Sequence, residues 1–316
     1  MADVEIRFDP AFVEEAVFLE LRRREAAGDH LTAQAFHAQR GALYDDAGGK
    51  AAEREARFQQ LAARSFQGLG FTELFAKRFE EFPLIGAQVP VALVQRAWSR
   101  KEERVELYVP SAPSGLSSAE VSPTLLIGLQ VARCLNREPL VAFLRHELMH
   151  IADLLDPAFG CQPHPDFGAG CETEEDLIRE RFRLLWNLVV DGRMRRKGWP
   201  AVDHETTRLR ECERAFASWD PQQREAVWRD LGNRASCAQR ELLELAKDER
   251  LTRMLGQGGV RCPLCHFPTR EGVCDWRGER ASVAEAIQAD YAWWDPAQGA
   301  CRQCFELYRS RWQMVR

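Results

Sequence analysis

The sequence predicts an α+β fold, in which helix-forming segments flank a short strand-rich stretch and a small cysteine-bearing module closes the chain. Three observations carry this reading. Residues 1–82 are rich in Ala, Glu, Arg and Leu, with apolar residues at helical spacing, as in Phe12, Ala16 and Leu19. Residues 89–94 are dense in valine, and Val105-Glu-Leu-Tyr-Val109 alternates apolar with polar residues, the pattern of half-buried strands. Cys262-Pro-Leu-Cys265 and Cys301-Arg-Gln-Cys304 place two paired-cysteine motifs near the C-terminal end.

Taken in order, Ala11–Ala27 and Ala51–Phe66 read as helices broken at Gly48-Gly49. The Ser/Pro/Gly-rich stretch Pro110–Pro123 reads as a loop, and Thr124–Leu135 as either a strand or a buried helix. Pro139 suits the first turn of a helix that runs to Leu155 and stops at Pro157. After a loop over 158–170, Thr173 is a credible N-cap for a helix reaching Lys197. Glu174, Glu175 and Asp176 lie in its first turn and Arg193, Arg195, Arg196 and Lys197 in its last, so charge complements the helix dipole at both ends. That basic cluster reads as a helix terminus rather than a nucleic-acid patch. Residues 205–255 suggest two helices joined near Asp220-Pro221, and Gln257-Gly258-Gly259 suggests a linker. The expected division is a helical region at 1–82, a core at 83–200, a second helical region at 201–256 and the cysteine module at 257–316.

Composition narrows the function classes. The 316 residues are 45% hydrophobic and 29% charged, as in a globular protein. A net charge of -5 gives no support to a general attraction for nucleic acid or an anionic membrane. No apolar run approaches the roughly 20 residues that span a bilayer. The acidic start, Met1-Ala-Asp-Val-Glu5, does not resemble a secretory signal. The chain therefore reads as cytoplasmic, with its ten cysteines as thiols or metal ligands.

The chemistry concentrates in His146-Glu147-Leu148-Met149-His150. Residues four apart share one face of a helix, so both imidazoles can reach one ion, and zinc accepts imidazole nitrogen readily. Glu147 is rotated away from direct ligation and suited to act as general base. The same helix carries an apolar stripe at Val141, Leu144, Leu148, Ile151 and Leu155. Phe143-Leu-Arg-His-Glu-Leu-Met-His-Ile-Ala-Asp153 resembles the active-site helix of the zincin metallopeptidases. The resemblance covers about 60 residues and implies His146 and His150 as zinc ligands, Glu147 as base, and a zincin-like core with helical additions.

Catalytic zinc usually takes a third protein ligand. Asp156 stands where metzincin-like enzymes place theirs, although Asp153 occupies the position at which those enzymes turn the chain with glycine. His164, in a following flexible loop, is a further donor that could swing in. Glu180, Asn187 and Asp191 share one face of the next helix. Gluzincin-type enzymes take their third ligand from that helix, with a second acidic residue four positions later; here Asn187 and Asp191 have that spacing, but Asn187 stands at the usual ligand position, a departure from the pattern. Asp191 is the favoured third ligand, with Glu180 and Asp156 as alternatives. Asp153, Asn187 and Arg193 are candidates to orient the ligands, and Arg193 or His164 to stabilise an oxyanion.

Cys262, Cys265, Cys301 and Cys304 can supply four thiolates to a structural zinc, and the module looks like a zinc ribbon with an insertion. Cys274 and His266 are possible substitutes. Trp276, Trp293, Trp294 and Tyr291 can pack its core or form a recognition surface, and the remaining cysteines lack metal spacing. The resulting expectation is a metallopeptidase with one catalytic and one structural zinc, acting on a protein or peptide. Two alternatives stand beside it: a zincin-like binding protein without turnover, and a nucleic-acid-associated protease resembling SprT-like proteins.

Overall fold

The computed structural model describes residues 4–45, 51–109, 122–169, 172–202, 205–216, 219–247, 260–269 and 272–314. The chain divides into two compact units, Met1–Asp156 and Pro157–Arg316. This division falls inside the 83–200 segment that the sequence suggests as one core.

The first unit is built on a four-stranded mixed sheet. Its strands are β1 (Glu5–Phe8), β2 (Val91–Arg96), β3 (Arg104–Tyr108) and β4 (Thr124–Leu129), in the spatial order β1-β2-β4-β3. β1 and β4 run parallel to β2, and β3 pairs antiparallel with β4 at one edge. Alternation sets the two faces. Ala92, Val94, Leu125, Ile127 and Leu129 are buried, whereas Arg7, Gln95, Glu106 and Tyr108 are exposed. The expected strands are present, and Thr124–Leu135 proves to be a strand followed by a 3-10 turn at Val131–Leu135. β1 is absent from the expectation, although Val4, Ile6 and Phe8 alternate with polar residues.

Helices α1 (Pro10–Ala26), α2 (Leu31–Asp45), α3 (Ala51–Gly68), α4 (Phe71–Glu80) and α5 (Pro83–Gln88) fill the connection between β1 and β2. Asp9 caps α1 by accepting the Ala11 amide at 3.4 Å, with Pro10 at the first helical position. Phe8, Phe12, Phe66, Phe71 and Phe75 form the aromatic part of the core. The Gly48-Gly49 break and nearly all of the Pro110–Pro123 loop lie outside the described residues.

The motif helix, α6 (Arg137–Leu155), is held at its start and along its side. Glu103, its side chain 3% exposed, accepts from Arg133 Nε at 2.7 Å and from the Gln130 amide at 3.1 Å, and pairs with Arg133 Nη2. Arg133 also lies over the Phe143 ring, 4.6 Å from its centroid. Arg145 donates twice to Glu81, both bonds 2.8 Å, which ties α6 to the end of α4. Although burial alone raises the Glu103 carboxyl, the bonds from Arg133 and Gln130 outweigh it and hold the carboxyl below its ordinary value. Because the folded value is the lower one, this stabilisation is complete above the unfolded carboxylate range, about pH 4.3, and is lost as pH falls through the folded value. Glu103→Gln is therefore expected to cost about 3 kcal/mol at neutral pH. In urea melts the gap to the unsubstituted chain should close in acid.

The second unit is helical apart from its C-terminal module. Helix α7 (Glu172–Arg196) begins one residue before Thr173, so Thr173 lies inside the first turn rather than capping it. Gly198, at φ 69°, ends it, and the Trp199 amide returns to the Met194 carbonyl at 3.0 Å. Arg196, one of the terminal basic residues, donates to the carbonyls of Gly232 (2.8 Å) and Arg234. Where two helices are expected, the described residues form three: α8 (Glu205–Ala215), α9 (Pro221–Asn233) and α10 (Gln239–Ala246). Asp220 caps α9 by accepting from the Gln222 amide at 2.9 Å, with Pro221 at its first position. Helices α7 and α9 meet backbone to backbone: a Cβ on Gly192 would lie 2.0 Å from the Gly232 carbonyl oxygen.

The module comprises β5 (Val260–Arg261) paired with β6 (Pro268–Thr269), β7 (Gly272–Val273) paired with β8 (Ala300–Cys301), and helices α11 (Glu279–Asp290) and α12 (Arg302–Met314). Its core gathers Leu264, Val283, Ala284, Ile287, Trp294, Phe305 and Tyr308 around the cysteines. Trp276 and Tyr291 pack partly against that core, whereas Trp293 is exposed. The Gln257-Gly258-Gly259 linker lies outside the described residues.

Candidate metal centres

Along α6, Leu144, Leu148 and Ile151 are buried, as are Leu140, Phe143 and Met149, so the helix is enclosed on more than the one stripe its sequence marks. His146 is also buried, at 4% exposure, and His150 is half-buried. Their ring centroids lie 4.8 Å apart. His146 Nδ1 stands 3.0 Å from Glu147 Oε1. In the tautomer in which Nδ1 donates to an ionised Glu147, Nε2 is the ring nitrogen able to ligate a metal. The two rings thus fit as part of a zinc ligand set. Among the described residues of this unit, no carboxylate or thiol gathers with both rings as a third donor.

Asp153 is 8% exposed, one turn beyond His150. Asp156 sits at the end of α6 in extended conformation, its amide bonded to the carbonyls of Ala152 and Asp153. The other candidates belong to α7 in the second unit. Glu180 is exposed, and Asn187, Asp191 and Arg193 are half-buried. Asp191 Oδ2 accepts from Arg208 Nε at 3.1 Å, and Arg208 donates as well to Glu211 at 3.0 Å. Asp191 lines a cavity of about 150 Å³ together with Leu188, Trp199, Arg208 and Trp228. Arg208 is a partner of Asp191 that the sequence does not announce; it comes from a separate helix, and no spacing rule links the two.

His164 is exposed, in a loop that is tied down rather than swinging. Gln239 accepts from the Gln162 amide at 2.6 Å and donates back to its carbonyl at 3.2 Å, while Lys247 Nζ holds the Asp166 carbonyl at 2.6 Å. Gln239→Ala is expected to cost about 1–3 kcal/mol, since it leaves two backbone groups without these bonds. Limited proteolysis should then cut the 157–169 loop faster.

At the cysteines the geometry is more complete. The Sγ atoms of Cys262, Cys265, Cys301 and Cys304 all lie within 4.8 Å of one another. Cys262 and Cys304 are 3.9 Å apart, and Cys265 and Cys301 are 3.8 Å apart. A regular tetrahedron of zinc–sulfur bonds near 2.3 Å places its sulfurs about 3.8 Å apart, so the quartet fits a tetrahedral metal. Backbone amides point at the sulfurs: Cys301 N lies 3.3 Å from Cys262 Sγ, and Cys304 N lies 3.3 Å from Cys301 Sγ. Burial raises the Cys262 thiol, but amides from Cys265, Cys301 and Leu264 outweigh it and hold the thiol low. Burial and the neighbouring sulfurs push Cys304 up. Four thiolates therefore need a shared cation to coexist.

His266, one substitute considered, instead makes the left-handed turn after the first pair, at φ 57°, and is exposed. Cys274, the other, is disulfide-bonded. The expectation that every cysteine is a thiol or a metal ligand fails there. Cys134, Cys161, Cys212 and Cys237 are buried or half-buried and outside any disulfide.

No family model, curated protein or solved structure matches the chain. Among the described residues, no helix is long and apolar enough to cross a membrane.

Proposed function

We propose that the chain is a zinc-dependent peptidase acting on protein or peptide substrates, with a zincin-like centre on α6 and a structural zinc at the cysteine quartet. The observation that supports this most is the pairing of His146 and His150 on one helix with Glu147 bonded to His146. His146 and His150 hold the metal. Bound zinc supplies a Lewis acid for the substrate carbonyl. The proton chemistry belongs to Glu147. Its carboxylate, 26% exposed, takes the proton of the attacking water and returns it to the leaving amine. Asp153, one turn beyond His150, orients a ligand histidine in this reading. Cys262, Cys265, Cys301 and Cys304 hold the second zinc.

The test is cleavage of an unfolded protein such as reduced casein by the zinc-loaded full chain. A chelator should stop the reaction and added zinc should restore it. A zinc-replete chain that leaves a panel of unfolded proteins intact would refute the peptidase reading in favour of metal-dependent binding.

A further inference from the structure

We infer that a metal held by the four cysteines seats the C-terminal module on helix α7, so that removing this metal loosens α7 itself. The inference rests on the quartet being a metal site and is independent of peptide hydrolysis.

The module packs on α7 through two segments, β5 and the 3-10 turn Pro296–Gln298. Each is the lead-in to one cysteine pair. β5 runs directly into Cys262, and the turn passes through Gly299 into β8 and Cys301. Both lead-ins are fixed to the module rather than to α7 alone. Trp276 Nε1 donates to the Pro296 carbonyl at 2.9 Å, and the buried Trp294 donates to the Gly299 carbonyl at 2.8 Å. The Cys262 amide closes the first pair's hairpin on the Phe267 carbonyl at 3.0 Å. The Cys301 amide, directed at Cys262 Sγ, joins one pair to the other.

The strands involved are two residues long and cannot hold this spacing by pairing alone. A four-thiolate metal fixes both pairs at once, and with them the separation of the two segments that rest on α7. When the cation is lost, the shared restraint disappears. Helix α7 carries Asn187, Asp191 and Arg193, so the metal at the cysteines governs the order of residues far along the chain from it.

The experiment uses the full chain loaded with cobalt, whose thiolate-to-metal absorption reports the quartet and not the histidines. Stepwise chelation is followed by amide hydrogen exchange. As the thiolate band is lost, exchange in α7 should rise about tenfold or more, while the β2 and β4 amides keep their protection. Cys265→Ser/Cys304→Ser should reproduce the loosened α7, and His150→Ala should leave the thiolate band unchanged. Loss of the band with α7 exchange unaltered would overturn the coupling. A cobalt-loaded chain with no thiolate band would overturn the metal reading beneath it. Should the double variant not fold, the chelation series on the unsubstituted chain decides alone.

Discussion

Glu147→Gln is expected to lower peptide hydrolysis by about a hundred- to ten-thousand-fold, the usual contribution of a positioned general base. The substitution keeps the shape of the side chain and its reach to His146 Nδ1, 3.0 Å away, but removes the proton acceptor. Zinc content and thermal unfolding should stay close to those of the unsubstituted chain, because Glu147 is not among the proposed metal ligands. The informative measurement is therefore the pair of activity and metal stoichiometry on one preparation. An active Glu147→Gln chain with zinc bound would refute the proposed role of Glu147. Loss of zinc along with activity would show instead that the carboxylate chiefly orients His146.

The second large effect is steric. Gly192→Ala should destabilise the chain by about 3 kcal/mol, the upper part of the range for overpacking. Its new methyl would sit 2.0 Å from the Gly232 carbonyl oxygen, 2.7 Å from the carbonyl carbon and 2.8 Å from the Cα, all backbone atoms that no rotamer change can move aside. Relief requires α7 and α9 to separate, which also stretches the bonds from Arg196 to the end of α9. Gly232→Ala is the natural control. A Cβ there meets nothing within 4 Å, and alanine is the better helix former by up to about 1 kcal/mol. Urea midpoints should move in opposite directions for the two variants. A Gly192→Ala chain as stable as the Gly232→Ala chain would contradict the close helix approach.

The parts of this architecture that were legible in the sequence are those encoded by local pattern. α6 follows from its apolar spacing and from Pro157, β2 and β3 from valine density and alternation, and α9 from Asp220-Pro221. The cysteine quartet was legible because pair spacing alone nearly determines which sulfurs can meet. What sequence could not give is contact between distant segments. Nothing near Glu103 announces Arg133 as its partner, and nothing near Asp191 announces Arg208. Gly192 reads as a weak point of a helix until Gly232 is placed against it. β1 is a different case: its alternation was present, but four residues beside a long helical pattern are easily absorbed into it. The third ligand belongs with the distant contacts, since choosing among Asp156, Glu180 and Asp191 depends on tertiary placement rather than on spacing.

The sheet also dictates an order of events in folding. β3 and β4 pair within one short stretch of chain, and β2 lies just ahead of them, whereas β1 at Glu5–Phe8 must wait for Val91–Val94 to emerge and fold. Closing so long a loop carries an entropic cost that local contacts do not repay until late. A nascent chain would thus hold its first strand unpaired through the synthesis of five helices.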